Sequence, residues 1–346
     1  MRTLVISDLH IGSRLGRDVL RHPEALAVLL EALDDVDRLV LLGDVVELAE
    51  GRPREAMTIA EPILRAVGRR MGPERPIVLV PGNHDRALAR AWAVRQGAAL
   101  VPDALVPHDA SRTLEAVLGW LKPAEVEVRT PGVWLTPRIF AHHGHYLDRH
   151  LVPQSAWGRL KPEVRRSEDT VVGPLPYERR RSPRPPRRRL PRPLAWLSEG
   201  TAELLRARTM PSPRKLQPHR IAPLTRVLLG RQMQHAAIPA LGHAMHRIGI
   251  TDAEWLIFGH VHRLGPVPSD DPSLWHIGST RIANTGSWTY EPLLLHNGGP
   301  PHPYWPGGAL LIPDATADPQ PISLLEDLDI ATLFHTRPPN PALRPG

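Results

Sequence analysis

Five short clusters of aspartate, asparagine and histidine punctuate this sequence. They are Asp8-Leu9-His10, Gly43-Asp44, Gly82-Asn83-His84-Asp85, His143-Gly144-His145 and Gly259-His260-Val261-His262. Cysteine is absent from all 346 residues, so any metal must be held by nitrogen and oxygen, and the 18 histidines are enough to supply the nitrogen. One chemistry fits these residue types. Two divalent ions about 3.5–4 Å apart clamp both the attacking and the leaving oxygen of a phosphoryl displacement, which takes about seven protein ligands including one shared carboxylate. Asp-x-His and His-x-His put alternate side chains on one side of an extended segment, where both reach one ion. Carboxylate, amide and imidazole donors suit Mn²⁺, with Fe or Zn²⁺ as alternatives, better than Ca²⁺.

The elements that must position these clusters are short apolar runs rich in β-branched residues. Thr3–Ser7 leads into Asp8, Arg38–Leu42 into Gly43-Asp44, Ile77–Val80 through Pro81 into Gly82-Asn83, and Glu254–Phe258 into Gly259-His260. A fifth strand is expected over Val133–Phe140, followed after Ala141 and His142 by His143-Gly144. Between them the period changes to that of helices. Leu26, Leu29, Leu30 and Leu33 mark one face of a helix over Pro23–Val36. Further helices are expected over Glu55–Arg70, with a break or kink at Pro62, and over Arg86–Gln96. Strands alternating with helices give an α/β fold, and in such sheets ligands gather beyond the carboxyl ends of the strands. Gly-Asn-His-Asp arises by chance on the order of once per 10⁵ positions. Joined to Gly-His-x-His, with each cluster closing a strand, it points to a site and not to scattered turn residues.

From 151 to 250 the pattern is different. This stretch is expected to be an insertion, Arg/Pro-rich and disordered over Glu178–Pro193, then helical over Leu194–Thr209 and Leu224–Ile248, with Pro239 interrupting the second piece. The catalytic domain is thus expected to be discontinuous, 1–150 and 251–335, resuming at Trp255 with further strands at Trp275–Ala283 and Ala309–Ile312, and the residues 336–346 form a loose tail. The net charge of +7 is unevenly spread. Residues 159–192 hold 12 Lys/Arg against 4 Asp/Glu, while the remainder holds 31 against 32. The excess therefore belongs to the insertion and not to the catalytic fold. No apolar run approaches the roughly 20 residues of a membrane span, and Met1-Arg2-Thr3 opens directly into a strand without a signal peptide's apolar stretch. With no cysteine, a cytoplasmic protein is expected, peripheral at most to the inner face of the membrane through its basic segment.

The five clusters together resemble the calcineurin-like metallophosphoesterases over roughly residues 1–150 and 250–315. The resemblance implies a four-layer αββα sandwich of two mixed sheets. It implies that Asp8, His10 and His262 hold one metal, that Asn83, His143 and His260 hold the other, and that Asp44 bridges both. The nucleophile would be a metal-bound hydroxide, with His84 acting on the leaving oxygen and Glu47 the acid oriented toward it. Gly43-Asp44-Val45-Val46-Glu47, His143-Gly144, and Asn284-Thr285-Gly286-Ser287-Trp288 are similar to the bacterial UDP-diacylglucosamine pyrophosphohydrolases of lipid A synthesis. The chain departs from them at His84, where arginine is usual, and at His145, where aspartate is usual. The resemblance therefore implies cleavage of a phosphodiester or pyrophosphate bond but not a particular substrate, which is expected to be a phosphorylated small molecule or a lipid-linked one.

Other residues carry weaker signals. His142, His143 and His145 compete for one ligand place, and the glycine after His143 favours His143. His243 and His246 sit three apart like a metal pair but follow no strand, so surface helix positions are expected. Arg14 and Arg86 follow ligand motifs and are candidates to grip a substrate phosphate in bidentate fashion; solvated arginine is the ordinary alternative. Asn83 is likewise placed to touch substrate. Trp157, Leu194, Trp196 and Leu197 suit either an apolar lid or plain helix packing. The Arg179–Arg192 cluster, otherwise a solvated linker, suits anionic headgroups or nucleic acid. Two alternatives to the small-substrate hydrolase follow, a nuclease of the same superfamily and a non-catalytic binding module. The first lacks aromatic side chains among those arginines for bases to stack on. The second is expected to have lost ligands, yet every ligand position is filled.

Overall fold

The computed structural model describes residues 1–151, 170–179, 236–295, 298–329 and 332–333. The basic residues from 180 to 192, the lid candidates Trp157, Leu194, Trp196 and Leu197, the helix expected over 194–209 and the tail 336–346 lie outside them. The first three strands are β1 (Thr3–Ile6), β2 (Arg38–Leu42) and β3 (Ile77–Val80), each ending where the apolar run meets its polar cluster. They pair in parallel, β1 with β2 and β2 with β3. Helices α1 (Pro23–Ala32) and α2 (Pro53–Met71) make the crossovers, each with a proline in its first turn, where a missing N–H costs nothing.

Beyond β3 come the short β4 (Asp103–Leu105), helix α4 (Arg112–Leu121) after α3 (Arg90–Gln96), and the long β5 (Val126–Thr136). The early part of β5 runs parallel to β3, and its later part pairs antiparallel with β6 (Ile139–His142). The remaining strands are β7 (Trp255–Phe258), β8 (Leu264–Gly265), β9 (His276–Ile277), β10 (Thr280–Thr285), β11 (Gly308–Ile312) and β12 (Gln320–Ser323). The strand order is β12-β11-β1-β2-β3-β5-β6-β7-β10-β8, with β4 on β5 and β9 on β10. This is a mixed α/β sheet system in which β5 belongs to both halves.

Both faces of the central strands are buried, so their sequences are continuously apolar. On β2, Leu39 and Leu41 join a core with α1, α2 and α4, whereas Val40 and Leu42 join a second core with Val133, Ile139, Ile257 and Ala283. On β7, Trp255 and Ile257 enter that second core, and Leu256 and Phe258 enter a third with Leu241 and Met245. The helix Ile238–Ile248 supplying Leu241 falls inside the stretch read as an insertion, yet it covers the outer face of β6, β7 and β10.

Three expected elements take a different form. The strand Val133–Phe140 is the hairpin β5–β6, in which Pro137 and Arg138 make the turn and Val133 faces Ala141. Trp275–Ala283 is likewise two antiparallel strands, β9 and β10, turning at Gly278 with φ +59°. Helix α2 continues through Pro62, because Ala60, Ile63, Leu64 and Val67 are buried around it and their packing outweighs one lost backbone hydrogen bond. Of the helix expected over Leu224–Ile248, the described part is Ile238–Ile248, with Pro239 in its first turn; residues 224–235 lie outside the described residues.

The seam between α2 and α4 is close enough to depend on one glycine. A Cβ on Gly68 would overlap the backbone carbonyl of Leu121 and sit 2.7 Å from its Cα. Backbone cannot swing aside as a side chain can, so the helices must part. Gly68→Ala is expected to destabilise the fold by about 1–3 kcal/mol despite alanine's better helix propensity; a lower thermal midpoint in the calorimeter checks it, and an unchanged or higher one refutes the close seam.

Candidate metal centre

The parallel strands β1, β2 and β3 deliver Asp8, Asp44 and Asn83 to one edge, and β6 and β7 deliver His143 and His260 to the same place. The seven expected ligands converge. Asp8, His10 and His262 form one cluster and Asp44, His143 and His260 another, with the facing ligand atoms in each within 4.8 Å of one another. Asp44 Oδ2 lies 3.1 Å from His143 Nε2 and 3.7 Å from His10 Nε2, so this carboxylate stands between the two. Asn83 Oδ1 is 3.1 Å from His143 Nε2 and so belongs with the second cluster. His142 faces away, with its Nδ1 accepting the Gly144 N–H at 2.8 Å. His145 stacks over His142 at 5.4 Å. Of the three competing histidines, His143 is the one beside Asp44.

The backbone here is unusual. Among the described residues, the non-glycine positions with positive φ are Asp8, His10, Asp44, His260 and His262, between +43° and +67°. Such conformations cost of order 1–3 kcal/mol each and persist where surrounding structure holds them. All five are expected metal ligands. The strain turns each side chain off the strand end and into the shared space.

Neighbouring residues fix the carboxylates. Asp8 Oδ2 accepts from the Ser7 hydroxyl and from the His260 N–H at 2.9 Å. Asp8 Oδ1 is buried 3.2 Å from His262 Nε2 and accepts no hydrogen bond. Asp44 Oδ1 accepts the His84 N–H at 2.7 Å. Any side chain at Gly82 would collide with that carboxylate, which explains the glycine in Gly-Asn-His-Asp. Burial alone would raise both aspartates, but imidazoles outweigh it. His143 and His262 bring Asp8 down to about 2, and His143 and His84 hold Asp44 well below the usual carboxylate range. Burial would lower His143 in turn, yet the carboxylates of Asp44 and Asp8 lift it to about 9. A buried pair of anions that draws a proton onto a nearby imidazole is a site short of positive charge. The orphaned Asp8 Oδ1 has the same meaning, and together they fit a cationic metal, which displaces such protons when it binds.

Glu47 is more deeply involved than expected. Both its oxygens lie 2.8 Å from His84 Nδ1, and Oε2 is also 3.0 Å from His10 Nδ1. Burial would raise it, but the hydrogen bonds from His10 and His84 bring it down to about 2. His84 itself stands with His10 and Asp44, their ligand atoms within 4.8 Å of one another. Arg14 and Arg86, the candidate phosphate grips, are exposed. Of the pair on the helix Ile238–Ile248, His246 is exposed, while His243 packs at 4.7 Å against His150.

Several supporting residues had no role assigned from sequence. Asp85 accepts from Gly82 N at 2.6 Å and Val45 N at 2.8 Å, tying the second and third motifs together; burial and the Asp44 charge push it up to about 6. Asn284 donates to Gly259 O at 2.7 Å, and Thr285 Oγ1 sits 2.6 Å from Ser7 Oγ. The Asn-Thr-Gly-Ser-Trp run thus braces the Gly-His-x-His turn against β1.

The family profile of the calcineurin-like phosphoesterases matches residues 1–264. The chain belongs to this family. The two histidine–aspartate clusters are where a member of this family could hold metal. Over 110 residues it is 31% identical to the UDP-2,3-diacylglucosamine hydrolase of Shewanella halifaxensis, an alignment covering 30% of this chain and 41% of that protein. The same figures hold for the enzyme of that name from Shewanella pealeana. The chain is thus aligned with less than half the length of these relatives. Among its described residues no helix is long and apolar enough to cross a membrane.

Proposed function

We propose that this phosphoesterase is a dinuclear enzyme that cleaves a phosphodiester or pyrophosphate bond in a phosphorylated small molecule or lipid-linked substrate. The observation that carries the reading is Asp44, whose Oδ2 lies 3.1 Å from His143 and 3.7 Å from His10, between two ligand clusters. Asp8, His10 and His262 would hold one ion, and Asn83, His143 and His260 the other. Bound there, a pair of divalent ions supplies a nucleophile from water at neutral pH and a clamp on both oxygens of the displacement. The protein's own part is positional and protonic. Glu47 fixes the ring of His84 through Nδ1, so that Nε2 is the nitrogen that holds the proton for the leaving oxygen. Nitrogen and oxygen donors without thiolate favour Mn²⁺, with Fe or Zn²⁺ as alternatives. The likeness to the two Shewanella enzymes supports a nucleotide-linked lipid as one substrate class, while His84 and His145 set this chain apart from that family. We further read the fold as two mixed sheets face to face between outer helices, supported by three separate apolar cores fed by alternate residues of the same strands. The catalytic unit would then comprise 1–150 and 251–335.

Purified protein is expected to carry about two transition-metal ions per chain, to lose phosphodiesterase activity in a chelator and to recover it with Mn²⁺. Elemental analysis alongside a screen of phosphomonoesters, phosphodiesters, nucleotide-sugars and DNA checks this. One ion or none after Mn²⁺ reconstitution refutes the dinuclear reading, and preferential cleavage of DNA moves the assignment to a nuclease.

A further inference from the structure

Every imidazole in the two clusters has its second nitrogen occupied. His10 Nδ1 meets Glu47 at 3.0 Å, His143 Nδ1 meets the Leu42 carbonyl at 3.0 Å, and His262 Nδ1 lies 3.3 Å from Thr289 Oγ1. These three leave Nε2 toward the centre. His260 is reversed, because its Nε2 is the nitrogen engaged, 3.1 Å from Asp148 Oδ1. Its Nδ1 is therefore the donor left for a metal.

Asp148 also differs from the other three partners in where it comes from. It lies on the single turn His145–Arg149, and its neighbours in that turn grip residues 170–179. Arg149 donates to the carbonyls of Tyr177 and Arg179, both at 2.8 Å, and to that of Pro176. The Tyr146 hydroxyl meets the Glu178 carboxylate at 2.5 Å, and the Tyr146 and Tyr177 rings stack at 4.3 Å. Arg90 on α3 adds a hydrogen bond to the Glu178 carbonyl at 2.9 Å. One turn thus holds the segment 170–179 with two residues and His260 with a third.

We propose that Asp148 is a positioning residue that sets the tautomer and ring orientation of His260, and that the grip of Arg149 on residues 170–179 holds Asp148 in place. A carboxylate behind a metal-binding histidine raises its basicity and fixes its ring, and removing such a partner typically weakens metal affinity about 10–100-fold. Asp148 is the partner of the His260 ring, at 3.1 Å from Nε2, while the backbone at φ +67° sets where that ring starts from. The inference rests on the two-ion reading above.

The test is Mn²⁺ titration by calorimetry on the full chain stripped of metal, with elemental analysis after dialysis. Wild type should show two ions. Asp148→Ala should weaken one of them about 10–100-fold and spare the other, with the melting temperature of the metal-free protein close to wild type. Asp148→Asn keeps an accepting oxygen and should fall between the two. Arg149→Ala should weaken the same ion by a smaller factor. Two ions in wild type with both affinities unchanged in Asp148→Ala would overturn the inference alone, and an unchanged Arg149→Ala would overturn the link to 170–179. Equal weakening of both ions with a lower metal-free melting temperature would overturn it in favour of a structural role. A single ion in wild type would overturn the two-ion reading itself.

Discussion

Replacing Asp44 by alanine should abolish measurable phosphoesterase activity and leave the protein with less than its full complement of metal. The expectation follows from its place between the clusters, 3.1 Å from His143 and 3.7 Å from His10. A single oxygen of this carboxylate, Oδ2, faces an imidazole of each cluster. Metal ions contribute several kcal/mol to transition-state stabilisation in such reactions, and each 1.36 kcal/mol is tenfold in rate, so a fall of at least ~10³-fold is expected. Asp44→Asn is the needed companion. Asparagine tolerates the φ of +54° that alanine resists, and it can still accept the His84 N–H. It should therefore fold as wild type by circular dichroism while losing the charge that two cations share. Should Asp44→Asn keep two tightly bound ions and near-normal turnover, Asp44 is not the shared ligand.

How much of this was legible in the sequence depends on how locally each feature is encoded. Strands β2 and β3 have the expected limits and β1 and β7 come within a residue, because each is an apolar run cut off by its own polar motif. The hairpin β5–β6 was not legible, since Leu135-Thr136-Pro137-Arg138-Ile139 turns in two residues without the usual Asn-Gly or Asp-Gly signal. Helix α4 has no counterpart among the expected elements, although Ser111 is an N-cap that accepts from Leu114 N and Leu114, Val117, Leu118 and Leu121 carry the helical period. In the site the pattern is the same. Motif residues converge as their spacing implied. The residues behind them, Asp85, Asp148 and Thr289, act across the fold; Asp148 meets His260 from 112 positions away. No local pattern encodes such a pairing. The second contact of Glu47, on His10 as well as on His84, is invisible for the same reason.

His84→Ala should separate chemistry from assembly. Its ring is held by both oxygens of Glu47 at 2.8 Å and meets the His10 ring edge-on at 4.6 Å. That places it beside the metal clusters with one nitrogen already committed to a carboxylate. A residue so held is suited to carry a proton to the departing oxygen, and loss of a general acid typically lowers kcat by 10²–10⁴. Metal content should stay near that of wild type, because Asp8, His10 and His262 remain for one cluster and Asp44, Asn83, His143 and His260 for the other. The size of the loss should depend on the substrate. An ester with a nitrophenol leaving group departs without protonation and should lose much less than one with an alcohol leaving group. Glu47→Gln should blur this separation, since Glu47 orients both His84 and the ligand His10, so it is expected to lower kcat and metal affinity together. His84 also stands with His10 and Asp44, their ligand atoms within 4.8 Å of one another, so the opposite result has a definite meaning. If His84→Ala loses one ion per chain and slows both kinds of ester equally, His84 is a ligand and the proton for the leaving oxygen comes from elsewhere.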